Sequence, residues 1–271
     1  MPLVRHTDIL DGLYRDVNRR RYVHPDPLEF LYAYRRLADR EIVALLASSL
    51  AYGRVAQILR SVSDVLERIG PDPAKYLAET TPAALRRAMR GFKHRFSTGR
   101  QVAAMLAGAR SVIARHGSLG ACFAKGISDD DATVLGALTA FVAEITEAAG
   151  EDCGHLLPDP ARGSACKRLC LMLRWMVRKD RVDPGGWSGI PAAKLLIPLD
   201  THMHKIATGL GATKRKAADM RTVVEITEAF GRLAPEDPVR YDFALTRLGI
   251  RSEMDVGAFL ARCNGPERPN A

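Results

Sequence analysis

The chain has 271 residues, 47% of them hydrophobic, which is ample for a buried core that folds by itself. It carries no apolar run of about 18 residues and a charged opening from Met1 to Arg20, so a membrane span and a secretory leader are not expected, and we expect a soluble, cytoplasmic protein. Forty Lys and Arg against 31 Asp and Glu give a net charge of +9, which favours polyanionic partners, and five irregularly spaced cysteines argue against a disulfide framework.

Apolar residues recur at helical spacing almost throughout, and no sustained alternation of the strand type competes. Asp26-Pro27 and Asp39 mark the first helix starts, and Gly70 and Gly91 mark stops. Ser97 opens a helix whose Val102, Met105, Leu106, Ala109, Val112 and Ile113 share a face, and Gly117 ends it. Asp131 opens the next, with Val134, Leu138, Phe141 and Ile145 on one side and Gly150 at the end. Two stretches rich in Gly and Pro, Glu151 to Ser164 and Arg181 to Leu199, read as loops. They bracket a helix from Cys166 to Lys179, in which Leu169, Met172, Leu173 and Met176 form an apolar stripe while Lys167, Arg174 and Arg178 fall on a basic side. Ser164 starts that helix and Asp237-Pro238 starts the last one read from the pattern. The expected fold class is all-α: a single domain over residues 1–271, of about a dozen helices in two helical subdomains with a cleft between them.

Charge gathers where the loops meet this helix. Seven basic residues and one acid lie between Ala161 and Arg181, and Lys214-Arg215-Lys216 follows further on. Asp200, in the run Ile197-Pro198-Leu199-Asp200-Thr201-His202, stands at a helix start, where the dipole and free N–H groups hold a carboxylate ionised. An ordinary N-cap has the same look. Lys167 falls in the first turn of its helix, where the positive dipole end and basic neighbours oppose its charge, an environment that suits an amine nucleophile as well as a plain surface lysine.

Four separated segments resemble the helix-hairpin-helix DNA glycosylases of the endonuclease III kind. Glu41 to Gly53 resembles the early helix that ends in Leu-Leu-Ser-x-Gln, with Ser49 where that family has its pocket glutamine. Gly163-Ser164-Ala165-Cys166-Lys167-Arg168-Leu169 resembles the hairpin written Gly-x-Gly-x-Lys-Thr-Ala, with Ala165 at the second glycine. Pro198 to Lys205 resembles Val-Asp-Thr-His-x-x-Arg, and Asp242 to Gly249 the late helix ending in Leu-x-x-x-Gly. The interval from Lys167 to Asp200 is long, and only Cys263 follows Gly249, so the iron–sulfur loop of some members is missing. These departures resemble the archaeal-type 8-oxoguanine glycosylases. Leu173 to Asp180 and Val182 to Trp187 are similar to an uncharacterised bacterial branch of the superfamily.

The resemblance implies a hairpin and catalytic region at about 158–210, with Lys167 as Schiff-base nucleophile and Asp200 as catalytic carboxylate. It implies a DNA glycosylase with lyase activity in base-excision repair, acting as a monomer on double-stranded DNA that holds a damaged or modified base, an oxidised purine by analogy. Arg162, Gly163, Ser164, Arg168, Arg174, Arg178, His202 and Lys205 would contact DNA, and Ser49, Tyr52 and Trp187 would form the base pocket. Neither cofactor nor metal is expected, although Cys153, Cys166 and Cys170 with His155 are the residues a zinc site would use. The alternatives are a DNA-binding protein without catalysis on the same scaffold, and an enzyme that transfers a modified base instead of excising it.

Overall fold

The computed structural model describes residues 3–265. Its architecture is all-α. The first third holds α1 (Thr7–Val17), α2 (Leu37–Ser49), α3 (Val55–Ile69), α4 (Pro73–Glu79) and α5 (Pro82–Ala88). A hairpin of β1 (Lys93–His94) and β2 (Ser97–Thr98) then leads into α6 (Gly99–His116), α7 (Leu119–Lys125) and α8 (Leu135–Ala149). The rest is α9 (Lys167–Val177), α10 (Thr201–Gly209), α11 (Met220–Gly231), α12 (Asp242–Ile250) and α13 (Val256–Asn264). No helix among the described residues is long and apolar enough to cross a membrane.

Apolar spacing sets the layers. α3 buries Ile58, Val62, Val65, Leu66 and Ile69, one stripe at helical period, and leaves Arg60 in solvent. α2 is buried all round from Ile42 to Ser49 and packs against α9, so these two helices form the centre of the molecule. Burying a Leu or Ile side chain contributes about 1.5–3 kcal/mol, and α2 alone buries Ile42, Leu45 and Leu46 completely.

Several helix starts differ from those expected. Asp39 lies inside the first turn of α2 and caps another helix, its Oδ1 accepting from Ala74 N of α4 at 2.9 Å. Asp26 caps a 3-10 turn, Pro27–Ala33, instead of an α-helix. Ser97 is in β2, and the cap of α6 is Thr98, which exchanges hydrogen bonds with Gln101. Asp131 precedes α8 and accepts from Ser128 N in the loop. The expected Cys166–Lys179 helix runs from Lys167 to Val177. Both Gly/Pro stretches are loops, broken only by short 3-10 turns at Gly154–Leu156, Pro160–Arg162 and Ala192–Lys194.

Candidate functional site

Two helices begin at one cleft. The loop into α9 turns through Gly163 at φ 78° and Cys166 at φ 44°, both left-handed, and this double reversal delivers Lys167 as the first residue of the helix. The Lys167 ammonium donates to the carbonyl of Ala51 at 3.4 Å, just beyond the end of α2. The proline-rich loop before α10 ends at Asp200, whose backbone is extended and whose Oδ1 accepts from Met203 N at 2.8 Å, the geometry of an N-cap.

Lys167, Asp200 and His202 line the same cleft of about 330 Å³, together with Asp26, Asp242 and Arg247. His202 packs against Gly249, where a Cβ would lie 2.3 Å from the ring Nδ1, so the final glycine of the late-helix motif makes room for an imidazole at the rim. Arg247 donates to Asp26 Oδ2 at 2.8 Å and lies over the Phe243 ring. Asp242 Oδ2 accepts from Arg174, while its Oδ1 is buried without a partner. Burial pushes the Asp242 carboxyl up to about 6 against the pull of Arg174, with Asp200 and Asp183 adding to the rise. The cleft therefore sets a primary amine among carboxylates of different environments, a set able to attack an electrophilic carbon and to hold or accept a proton.

The basic side expected for α9 is largely interior. Arg174 is 3% exposed, and donates to Asp183 at 3.2 Å and to Asp242. Arg178 is buried as well, held by Asp183, by Asp180 at 3.0 Å and by Asp237 at 2.9 Å. Arg168 donates to the carbonyls of Ser49 at 2.7 Å and of His155, with its guanidinium over the Tyr52 ring. These three arginines are corrected from DNA contacts to internal ties, because each has its hydrogen-bonding face filled by protein acceptors. Arg162, Gly163, Ser164 and Lys205 are exposed.

None of the three expected base-pocket residues lines the cleft that holds Lys167 and Asp200. Trp187 is buried among Phe123 and Phe141, seats its indole against Gly120 and donates Nε1–H to Glu41 at 3.1 Å. Glu41 also accepts from the backbone N–H groups of Leu119 and Gly120, so this buried acid caps α7, and burial raises its pKa. Ser49 is buried with its hydroxyl unpartnered. The Tyr52 hydroxyl lies 2.8 Å from the His94 carbonyl and 2.7 Å from Ser97 Oγ, which ties it to the hairpin.

That hairpin departs from the purely helical pattern read from the sequence. Its turn presents Phe96, 69% exposed, beside Arg95 at φ 51°. Below the tip, His94 is fully buried between Ser61 Oγ at 2.8 Å and the Tyr52 carbonyl at 3.0 Å, and Arg95 packs on Gly53, which is itself part of the cleft wall. The sequence signal was Lys93-His94-Arg95-Phe96, an aromatic set among cations. Asp26, Asp242 and Arg247 also line the cleft, a role the motifs do not signal, since Asp26-Pro27 reads as a helix start and Asp242 and Arg247 as parts of the late helix.

Cys153, Cys166 and Cys170 do not converge with His155 into a set of metal donors. The donor group that does form among the described residues is His116, Cys122 and Glu144, whose ligand atoms lie within 4.8 Å of one another.

No curated protein and no solved structure matches the chain. A family model described as a protein of unknown function, DUF2400, matches residues 26–251, a span that takes in the cleft wall from Asp26 to Ile250, and the chain belongs to that family.

Proposed function

We propose that the chain is a DNA glycosylase of the helix-hairpin-helix kind, which excises a modified base from double-stranded DNA and cleaves the resulting site through a lysine Schiff base. The observation that carries this reading is the meeting of Lys167 and Asp200, each at the N-terminal end of its own helix, in one cleft. A volume of about 330 Å³ falls at the small end of ligand pockets, about 300–1,000 Å³, and suits a single base.

In this reading exposed cations such as Arg162 and Lys205 take phosphates, and Phe96 enters the base stack as the target nucleotide leaves it. The Lys167 amine forms a bond to the anomeric carbon as the glycosidic C–N bond breaks, and the base departs with the electron pair and gains a proton. Asp200 stabilises the positive charge that develops on the sugar. Ring opening at the sugar oxygen then gives the protonated imine, loss of the C2′ proton expels the 3′-phosphate, and water returns the free lysine. Oxidised purines are the substrate class by resemblance, and the protein acts as a cytoplasmic monomer on the nucleoid.

Borohydride trapping on duplexes with oxidised, deaminated and alkylated bases tests this. We expect a covalent protein–DNA adduct with the native chain and none with Lys167→Ala. Absence of both adduct and base release across the panel overturns the reading, and salt-dependent DNA binding retained in that case favours a binding protein.

A further inference from the structure

Away from the cleft, three side chains of different chemistry meet where three helices join. His116 is the last residue of α6, Cys122 lies within α7, and Glu144 is in the second half of α8. His116 Nε2 lies 2.5 Å from Glu144 Oε1, and the Cys122 thiol donates to Glu144 Oε2 at 3.1 Å. Arg115 approaches Glu144 Oε1 from outside at 3.3 Å. Cys122 is buried, whereas His116 and Glu144 are 15% and 27% exposed, so the junction opens on one side to solvent.

We propose that His116, Cys122 and Glu144 form a zinc site with three protein ligands and a water in the fourth position. One imidazole nitrogen, one thiolate and one carboxylate make a borderline-soft donor set that suits zinc and is poor for magnesium or calcium, which take oxygen ligands. Tetrahedral zinc with bonds of about 2.0–2.3 Å needs its donors roughly 3.3–3.8 Å apart. The 2.5 and 3.1 Å separations are hydrogen-bond distances to the two different oxygens of Glu144 and fall short of that span, while all three donor atoms lie within 4.8 Å of one another, so the side chains have to spread apart to admit the ion. The movement required falls on the partly exposed His116 and Glu144 and leaves the buried Cys122 in place. On zinc binding Cys122 would lose its thiol proton to solvent, the neutral imidazole of His116 would carry its hydrogen on Nδ1 and leave Nε2 free to bind, and the thiolate and carboxylate would balance the charge of the ion. Arg115 would then hold the outer carboxylate oxygen, as polar neighbours of metal ligands commonly do.

Such a site clasps the end of α6 to α7 and α8, and the next residue of α7, Phe123, stacks on Trp187. It is independent of the DNA reading, since none of the three ligands lines the cleft.

The test is cobalt(II) titration of the full, metal-stripped chain, followed by displacement with zinc. We expect one equivalent of cobalt and a near-ultraviolet thiolate-to-cobalt charge-transfer band, which zinc abolishes. Cys122→Ser removes the band, and Glu144→Gln, a change at a partly exposed position that leaves the core untouched, weakens cobalt binding at least tenfold. No thiolate band at equimolar cobalt overturns the proposal. So does a band that survives in Cys122→Ser, which places the metal on another cysteine, or unchanged affinity in Glu144→Gln.

Discussion

The two ends of α9 carry the same kind of residue in opposite circumstances. At its N-terminal end Lys167 reaches a cleft and touches one carbonyl, while toward its C-terminal end Arg174 and Arg178 are enclosed by Asp180, Asp183, Asp237 and Asp242. A buried guanidinium survives only if acceptors fill its donors, so the deep end has to be a closed network, and only the shallow end is left with a cation to spare for a ligand. Asp242 joins the two, since one oxygen belongs to the network and its residue lines the cleft.

The contrast breaks most visibly at Asp183, which is fully buried between both arginines. Asp183→Ala leaves two guanidinium groups short of an acceptor and should cost about 3–5 kcal/mol in urea unfolding, whereas Lys167→Ala should stay within about 0.5 kcal/mol. Equal losses in the two variants would erase the distinction between the ends of the helix.

Asp200→Asn keeps an oxygen for the Met203 N–H and so preserves the cap, but removes the charge. We expect base release to fall about 10²–10³-fold with little change in stability, as for removal of one group that stabilises transition-state charge. A variant as active as the native chain would reduce Asp200 to its capping role.

Phe96→Ala should weaken binding to a duplex with an abasic site by about 1–3 kcal/mol, the usual contribution of a stacked aromatic, and leave unfolding unaffected because the ring is 69% exposed. Unchanged binding by titration would remove the hairpin from the DNA interface.

The smallest effect concerns pH. The Asp242 carboxyl is pushed up to about 6 by burial, above its unfolded value of about 4, so its contribution to stability is complete below about 4 and is lost as pH rises through about 6. The stability advantage of the native chain over Asp242→Asn should therefore shrink across that window. An advantage that grows with pH would mean that the pairing with Arg174 outweighs burial.

Much of this division lay outside the reach of the sequence. The helix-start positions of Lys167 and Asp200 are legible in the sequence because each depends on neighbours in the chain, a left-handed turn before one and a proline-rich loop before the other. Arg174 and Arg178 read from the sequence as a basic side open to DNA because helical periodicity reports which side a residue takes and says nothing of what covers it. Two of their partners, Asp237 and Asp242, lie some sixty residues away. Trp187 escapes a sequence reading for the same reason, its indole being fixed by Glu41, 146 residues earlier. Glu41 did leave a trace, as the acid that opens an otherwise apolar run into Ile42 and Val43. The hairpin was hidden by its size, two residues to a strand, too short for alternation to register.

The central claim, that the shallow end of α9 carries the chemistry, is tested most directly by locating the covalent link. After borohydride reduction on a lesion-containing duplex and proteolysis, mass spectrometry should find the sugar remnant on Lys167. A remnant on any other lysine, or none on the chain, would contradict the account.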